Sequence, residues 1–265
     1  MPVNALATSG SIVGPNKYGP TGGVATGISL YDMYTAAEFQ ELGLPVGYRI
    51  ERLNGNVFRL AYFEASLNRG VLVAPDMSAM SVVDTDNQVD AAEAIGQTTI
   101  HMDGAAFASI SVNQFAEGIL VTTDDTGEGF SYPIKSNTVT ASTDEIDIVL
   151  YEGIIIALDT TTDVAIIGNP YNGMIIATAA TDYIPKGVSV NTIVQGTEAY
   201  GWIQTKGMVG ILQDGAITDG DQVSLSDATD GAVEVLVASG ATAWVGHCVI
   251  TGDTTGHGVF DIFLE

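Results

Sequence analysis

From residue 47 onward the apolar positions of this chain recur every second residue, the period of a strand with one face turned to a core. The segment Arg49–Tyr62, RIERLNGNVFRLAY, shows it first, interrupted by Asn54-Gly55, the strongest short hairpin signal available. With those two residues as the turn, Leu53, Phe58, Leu60 and Tyr62 are expected on one face and Arg52 and Arg59 on the other. The same alternation marks Ile146, Ile148 and Leu150, then Val233, Val235 and Val237, then Phe260, Ile262 and Leu264. Turn signals punctuate the chain at Asp103-Gly104, Glu117-Gly118, Gly127 to Gly129, Asp214-Gly215, Asp219-Gly220 and Asp230-Gly231. Many short strands with close punctuation predict an all-β protein built from two small β-sandwich or barrel-like domains.

Residues 1–30, which include GPNKYGPTGG, offer no periodic apolar face and read as an extended N-terminal arm. A helix is predicted only over 31–42, where Tyr34, Ala37, Phe39 and Leu42 share a face and Gly43 and Pro45 follow. Residues 47–75 and 200–237 share a plan of strand, glycine turn and strand. This predicts that 31–90 joins 176–265 in one barrel-like domain, with 91–175 inserted as a second β-domain; a simple consecutive arrangement is the competing layout.

Composition narrows the function. With 46% hydrophobic residues in 265 the chain has the material for a substantial core. Its 32 acidic residues against 8 Lys and Arg give a formal charge of −24, which repels nucleic acid and anionic membranes and keeps a many-copy protein soluble. Cys248 is the only cysteine, so no intrachain disulfide forms. The first basic residue is Lys17, and no signal-like apolar run precedes it; the most hydrophobic stretch, Ile148 to Leu158, is short and holds Glu152. Synthesis in a cytoplasm, with lysis as the route out, is the expectation.

The chain shows no nucleophile elbow, phosphate loop or dinucleotide fingerprint. His247 and Cys248 are neighbours on an expected strand, so their side chains point to opposite faces and cannot share an ion. His101 and His257 stand apart. The acidic runs Asp84 to Asp90, Thr122 to Gly129 and Thr218 to Gly231 offer oxygens to calcium. A helix-loop-helix calcium loop beginning at Asp84 would, however, need Gly and Glu where Val89 and Ile95 stand, and turns favour Asp for their own reasons. No catalytic residue, metal or cofactor is expected. Trp202, Trp244, Tyr200 and Tyr171 read as core or subunit-contact anchors more readily than as a sugar platform. All four arginines, Arg49, Arg52, Arg59 and Arg69, fall in one short stretch of an acidic chain. They are the candidate assembly interface, since a guanidinium fork suits carboxylate pairs at protein contacts. Pairing within the chain, with Glu51, Glu64 or other acids, is the competing reading.

Across about Gly43 to Glu265 the segments LPVGYRIERLNGNVFRLAYFEASLNRGVLV, NQFAEGILVTTDDTGEGFSYPIKSNT, IDIVLYEGIIIALDTTTDV, NPYNGMII and YGWIQTKG, closing with WVGHCVI and FDIFLE, resemble in their order structural proteins of tailed-bacteriophage virions. The resemblance is to capsid decoration or cement proteins. It implies a non-enzymatic virion component on the outside of the capsid, with the major capsid protein and further copies of itself, as a homotrimer, for partners. The arm shows no match. Another virion position (head fibre, neck or tail) and a carbohydrate-binding adhesin are the rival readings.

Overall fold

A computed structural model describes residues 44–76, 81–102, 110–139, 145–178, 184–194, 200–237 and 243–265, with the backbone alone over 81–88. The expected arm, the helix expected over 31–42 and the Asp103-Gly104 turn lie outside the described residues. The protein is all-β. In chain order the strands are β1 (Arg49–Glu51), β2 (Val57–Tyr62), β3 (Leu72–Pro75), β4 (Ser81–Gln88), β5 (Thr99–Met102), β6 (Ile119–Asp124), β7 (Ser131–Asn137) and β8 (Ile146–Leu150). There follow β9 (Asp163–Ile167), β10 (Met174–Ile176), β11 (Gly187–Ser189), β12 (Tyr200–Leu212), β13 (Gln222–Leu225), β14 (Val233–Val235), β15 (Trp244–Ile250) and β16 (His257–Phe263).

These strands form two compact units. The first unit takes the described chain up to Asp76 and again from Tyr171; the second takes the chain between them. The boundaries read from the sequence, 90/91 and 175/176, therefore sit at 76/77 and 170/171. Hydrogen bonding sets them: β4 pairs antiparallel with β9, and β10 pairs with β3. Asp76 N donates to Gly173 O at 3.0 Å, so the chain leaves the first unit and re-enters it side by side.

The second unit is a six-stranded antiparallel sheet in the order β4-β9-β6-β7-β8-β5. A bridge between Val89 and Met102 brings its two ends together, curling the sheet on itself. Ile146, Ile148 and Leu150 alternate as expected and point into the curl, where they meet Phe115, Leu120, Ile134 and Ile166. Asn137 closes one end from a buried position. Its Oδ1 accepts from Phe115 N at 2.8 Å, and its Nδ2 donates to Ser111 O at 2.9 Å and Thr138 O at 2.8 Å.

The first unit is a ten-stranded sheet with main path β10-β3-β11-β12-β16-β15-β13-β14, to which the β1-β2 hairpin is added on β12. One core gathers Leu72, Val188, Ile211, Val223, Val245, Phe260 and Ile262, and a second gathers Ile50, Phe58, Leu60, Val190 and Trp202. The hairpin register is Arg49 to Arg59, Ile50 to Phe58 and Glu51 to Val57. Leu53 does not share the face of Phe58 and Leu60, as the alternation predicted. The turn takes in residues 52–56, closed by Arg52 N to Asn56 O and Gly55 N to Arg52 O, and leaves Leu53 fully exposed at its tip. β2 is buried on both sides, with Phe58 and Leu60 in one core and Ala61 in another beside Phe63, so it lacks the polar face that alternation implies.

Replacing Asn137 by Ala leaves a buried N–H and two part-buried carbonyls without their partner. The expected cost is about 2–3 kcal/mol, measured as a shift of the urea midpoint, with Asn137→Asp at least as damaging because it sets a carboxylate against two carbonyls.

Candidate assembly interface

The structure brings two of the four arginines together and leaves two apart. Arg49 and Arg59, opposite each other on β1 and β2, both reach Glu265, two residues beyond β16. Arg59 Nε lies 2.9 Å from Glu265 Oε1 and Arg49 Nε 3.2 Å from Glu265 Oε2, while Arg49 also pairs with Glu51 at 2.9 Å. Arg59 further donates to Gly47 O at 2.9 Å and sits over the Tyr171 ring, 5.0 Å from its centre. Thr205 Oγ1 on β12 donates to the same Glu265 oxygen at 3.2 Å. One carboxylate therefore ties β1, β2 and β12 to the segment after β16.

Partial burial works to raise the Glu265 pKa, but the hydrogen bonds and charges of Arg59 and Arg49 outweigh it and hold the carboxyl below its usual range. For Arg49, burial alone would lower the guanidinium pKa, and pairing with Glu51 and Glu265 carries it above its ordinary value. Burial pushes the Tyr171 phenol up against the pull of Arg59. Arg69 lies in the exposed turn before β3. Arg52, at the hairpin turn, lines a cleft of about 540 Å³ together with Leu53, Asn56, Phe58, Gln204 and Met208.

A second feature had no signal in the arginine pattern. On β16, Phe260 and Ile262 face the core, so Val259, Asp261 and Phe263 face out. Their partners on β12 and β15 continue the same outward face: Met208 opposite Asp261, His247 opposite Asp261, and Ile250 opposite Val259. Four large apolar side chains stand open there, with exposures of 59% for Met208, 58% for Ile250, 44% for Trp244 and 43% for Phe263. Trp244 stacks on Phe263 with ring centres 5.9 Å apart and planes 6° apart, and His247 stacks on the same Phe263 at 6.3 Å. Trp202, of the same residue type and also on a strand, is wholly buried. Cys248 faces the core, opposite in direction to His247, and burial raises its thiol pKa.

Two aspartates of the acidic runs brace local turns, Asp221 accepting from Thr218 N at 2.8 Å and Asp124 from Asp125 N at 2.9 Å, while Asp219 reaches across to accept from Thr251 N at 2.8 Å. Among the described residues no group of three or more His, Cys, Asp or Glu side chains is placed to hold a metal ion. No helix among them is long and apolar enough to cross a membrane. In the second unit His101 Nδ1 meets the buried Glu93 carboxylate at 2.6 Å, and Glu93 also accepts the His101 backbone N–H at 3.0 Å. That bond raises the His101 pKa, burial opposes it, and the Glu93, Asp147 and Glu145 charges add to the rise.

No family model matches the chain, and no curated protein or solved structure does either.

Two pH responses follow, of opposite sign. Glu265, with a depressed pKa, stabilises the fold fully above the ordinary carboxylate range, and that contribution is lost as pH falls through its folded value. Glu265→Gln should cost about 1 kcal/mol at neutral pH, after solvent screening of a partly exposed cluster, and the loss should vanish in acid. His101, with a raised pKa, contributes fully below its unfolded value of about 6.5, and the contribution fades as pH climbs through the folded value. Thermal melts of His101→Gln should therefore lose the fall in stability that the parent shows from neutral to alkaline pH.

Proposed function

We propose that this chain is a non-enzymatic structural protein of a tailed-phage virion, a decoration or cement protein that binds the outside of the capsid and stabilises it. It would be made in the host cytoplasm, with the major capsid protein and further copies of itself, as a homotrimer, for partners. The observation that carries this reading is the outward face of β12, β16 and β15, where Met208, Ile250 and the stacked Trp244 and Phe263 stand exposed in a chain of charge −24. Interface centres are enriched in aromatic residues and Met and poor in charge, and this face has that composition. Strongly acidic copies repel each other, so self-contact favours a surface nearly free of carboxylates. Across the three strands the described face holds Asp261 with Lys206 and His247 close by. Cement action then needs no chemistry at a site. Modest contacts of roughly 1,000–2,000 Å², repeated over a lattice, add free energy across every subunit seam.

The stacked rings also favour a second reading, a glycan-binding adhesin, because an exposed aromatic stack flanked by polar side chains suits a sugar ring. Quantitative mass spectrometry of purified particles separates the two. A copy number near that of the major capsid protein, or a simple fraction such as one third, supports cement. A handful of copies moves the chain to a tail or vertex, and absence from particles leaves the adhesin. In light scattering after gel filtration, Trp244→Ala with Phe263→Ala should convert an assembled parent to monomer without lowering its melting temperature by more than a few degrees. An unchanged mass would remove this face from the contact.

A further inference from the structure

Asn-Gly occurs twice in the chain, at Asn54-Gly55 and Asn172-Gly173, and the two pairs sit in opposite surroundings. Asn54 stands exposed at the tip of the β1-β2 hairpin, beside the fully exposed Leu53. Its Oδ1 accepts from Asn56 N at 3.2 Å, a bond that reaches over the Gly55 peptide and holds the carboxamide against it. Gly55 has φ of 85°, and a Cβ added there would meet nothing within 4 Å, so no neighbour crowds the residue. The Gly55 N–H donates to Arg52 O at 2.9 Å, a bond made within the same turn. Asn172-Gly173, by contrast, is tied down on both sides. Gly173 is buried and its carbonyl accepts from Asp76 N at 3.0 Å. The flanking carbonyls of Tyr171 and Met174 accept from Tyr62 N at 2.9 Å and Glu64 N at 3.1 Å.

We propose that Asn54 is a site of spontaneous, enzyme-free modification, in which the side-chain amide is lost and an acid is left at the hairpin tip. After the Gly55 N–H gives its proton to solvent base, the nitrogen attacks Asn54 Cγ. The new Cγ–N bond closes an imide ring, the Cγ–Nδ2 bond breaks, and Nδ2 leaves as ammonia with a proton from water. Water then adds to either imide carbonyl. One opening gives an ordinary aspartate, the other a β-linked aspartate whose main chain runs through Cβ and Cγ. Nothing is oxidised or reduced, and water is the sole co-reactant. Glycine favours the attack because it sets no Cβ beside the nitrogen. At Asn54 the attack costs the fold the bond from Gly55 N to Arg52 O, in an exposed turn. At Asn172 it disturbs the bonds that hold residues 171–174 in a buried segment. At about 1 kcal/mol net for each bond, the two rates separate by about tenfold or more.

Either product adds a carboxylate to the hairpin tip, ionised at neutral pH. The β-linked product also lengthens the main chain of a turn whose Asn56 side chain donates to Met208 O of β12 at 3.4 Å. That turn therefore passes the change on to β12. The inference stands apart from the assembly reading and holds whatever the chain binds.

The test ages the full chain in mildly alkaline buffer beside the capped peptide acetyl-Leu-Asn-Gly-Asn-amide and maps both by mass spectrometry. Electron-transfer fragmentation tells the two aspartate linkages apart. Position 54 should convert within about tenfold of the free peptide's rate, since one net hydrogen bond separates them, and about tenfold or more faster than position 172. Conversion should quicken as pH rises, and both linkages should appear. Conversion at position 54 no faster than at position 172, or slower than the peptide by clearly more than about tenfold, would overturn the site. Asn54→Asp, which installs the ordinary product directly, should melt within about a degree of the parent. The β-linked form purified from the aged sample should melt a few degrees lower. Equal melting of those two forms would overturn the link from the turn to β12.

Discussion

The first unit depends on a change of parity inside one strand. β12, thirteen residues long, pairs with β2 on one edge and with β11 and then β16 on the other. That second edge takes the Trp202 carbonyl before the handover and the Thr205 carbonyl after it, so the parity changes between them. An extra residue between Gln204 and Lys206 makes the change. Buried Gln204 fixes it by donating to the carbonyls of Lys206 and Met208. Gly207 completes it with φ of 89°, at a point where any Cβ would fall on Asn56 Oδ1. Glu265 then clamps the outcome from the far side, holding Arg49, Arg59 and Thr205 at once. Truncating Gln204 would take the side-chain donor from the Lys206 carbonyl and leave the Met208 carbonyl only its longer bond from Asn56 Nδ2 at 3.4 Å.

The surface inherits its features from that bulge. Beyond the bulge β12 turns toward β16, the hairpin stops short, and the cleft opens where the two part. The same change of parity sets Met208 outward beside Asp261, so the cleft adjoins the apolar face that carries Trp244 and Phe263. A surface so poor in carboxylates, on a chain with so many, arises from strand pairing and not from a local run of sequence. It draws on segments some fifty residues apart.

Local order was legible in the sequence where local rules decide. Asn54-Gly55 marked a turn, Ile146, Ile148 and Leu150 marked a one-sided strand, and the adjacency of His247 and Cys248 told their opposite directions. Leu53 misled because the turn spans 52–56 and swallowed a position that alternation assigned to the core. β2 misled because burial on both faces removes the polar half of the pattern. The clamp could not be read at all: Glu265 lies 216 residues from Arg49 in sequence, and nothing in the arginine cluster names its partner. Trp202 and Trp244 sit on strands of similar composition, and only the layer stacked against each face separates a core anchor from an exposed one. Within β12 itself, Gly201, Gly207 and Gly210 interrupt the apolar rhythm that marks shorter strands, which hid both its length and its bulge.

The hydrogen bond between Asp76 and Gly173 has a consequence for how such a chain is built. At that point β3 and β10 already stand as an antiparallel pair, Pro75 opposite Met174, so the first unit closes its own sheet whatever is spliced between them. A tight turn would complete the pair as well as a whole folded unit does. The interruption is thus a socket: cargo can be exchanged there, as a graft, without rewriting any strand of the unit that receives it.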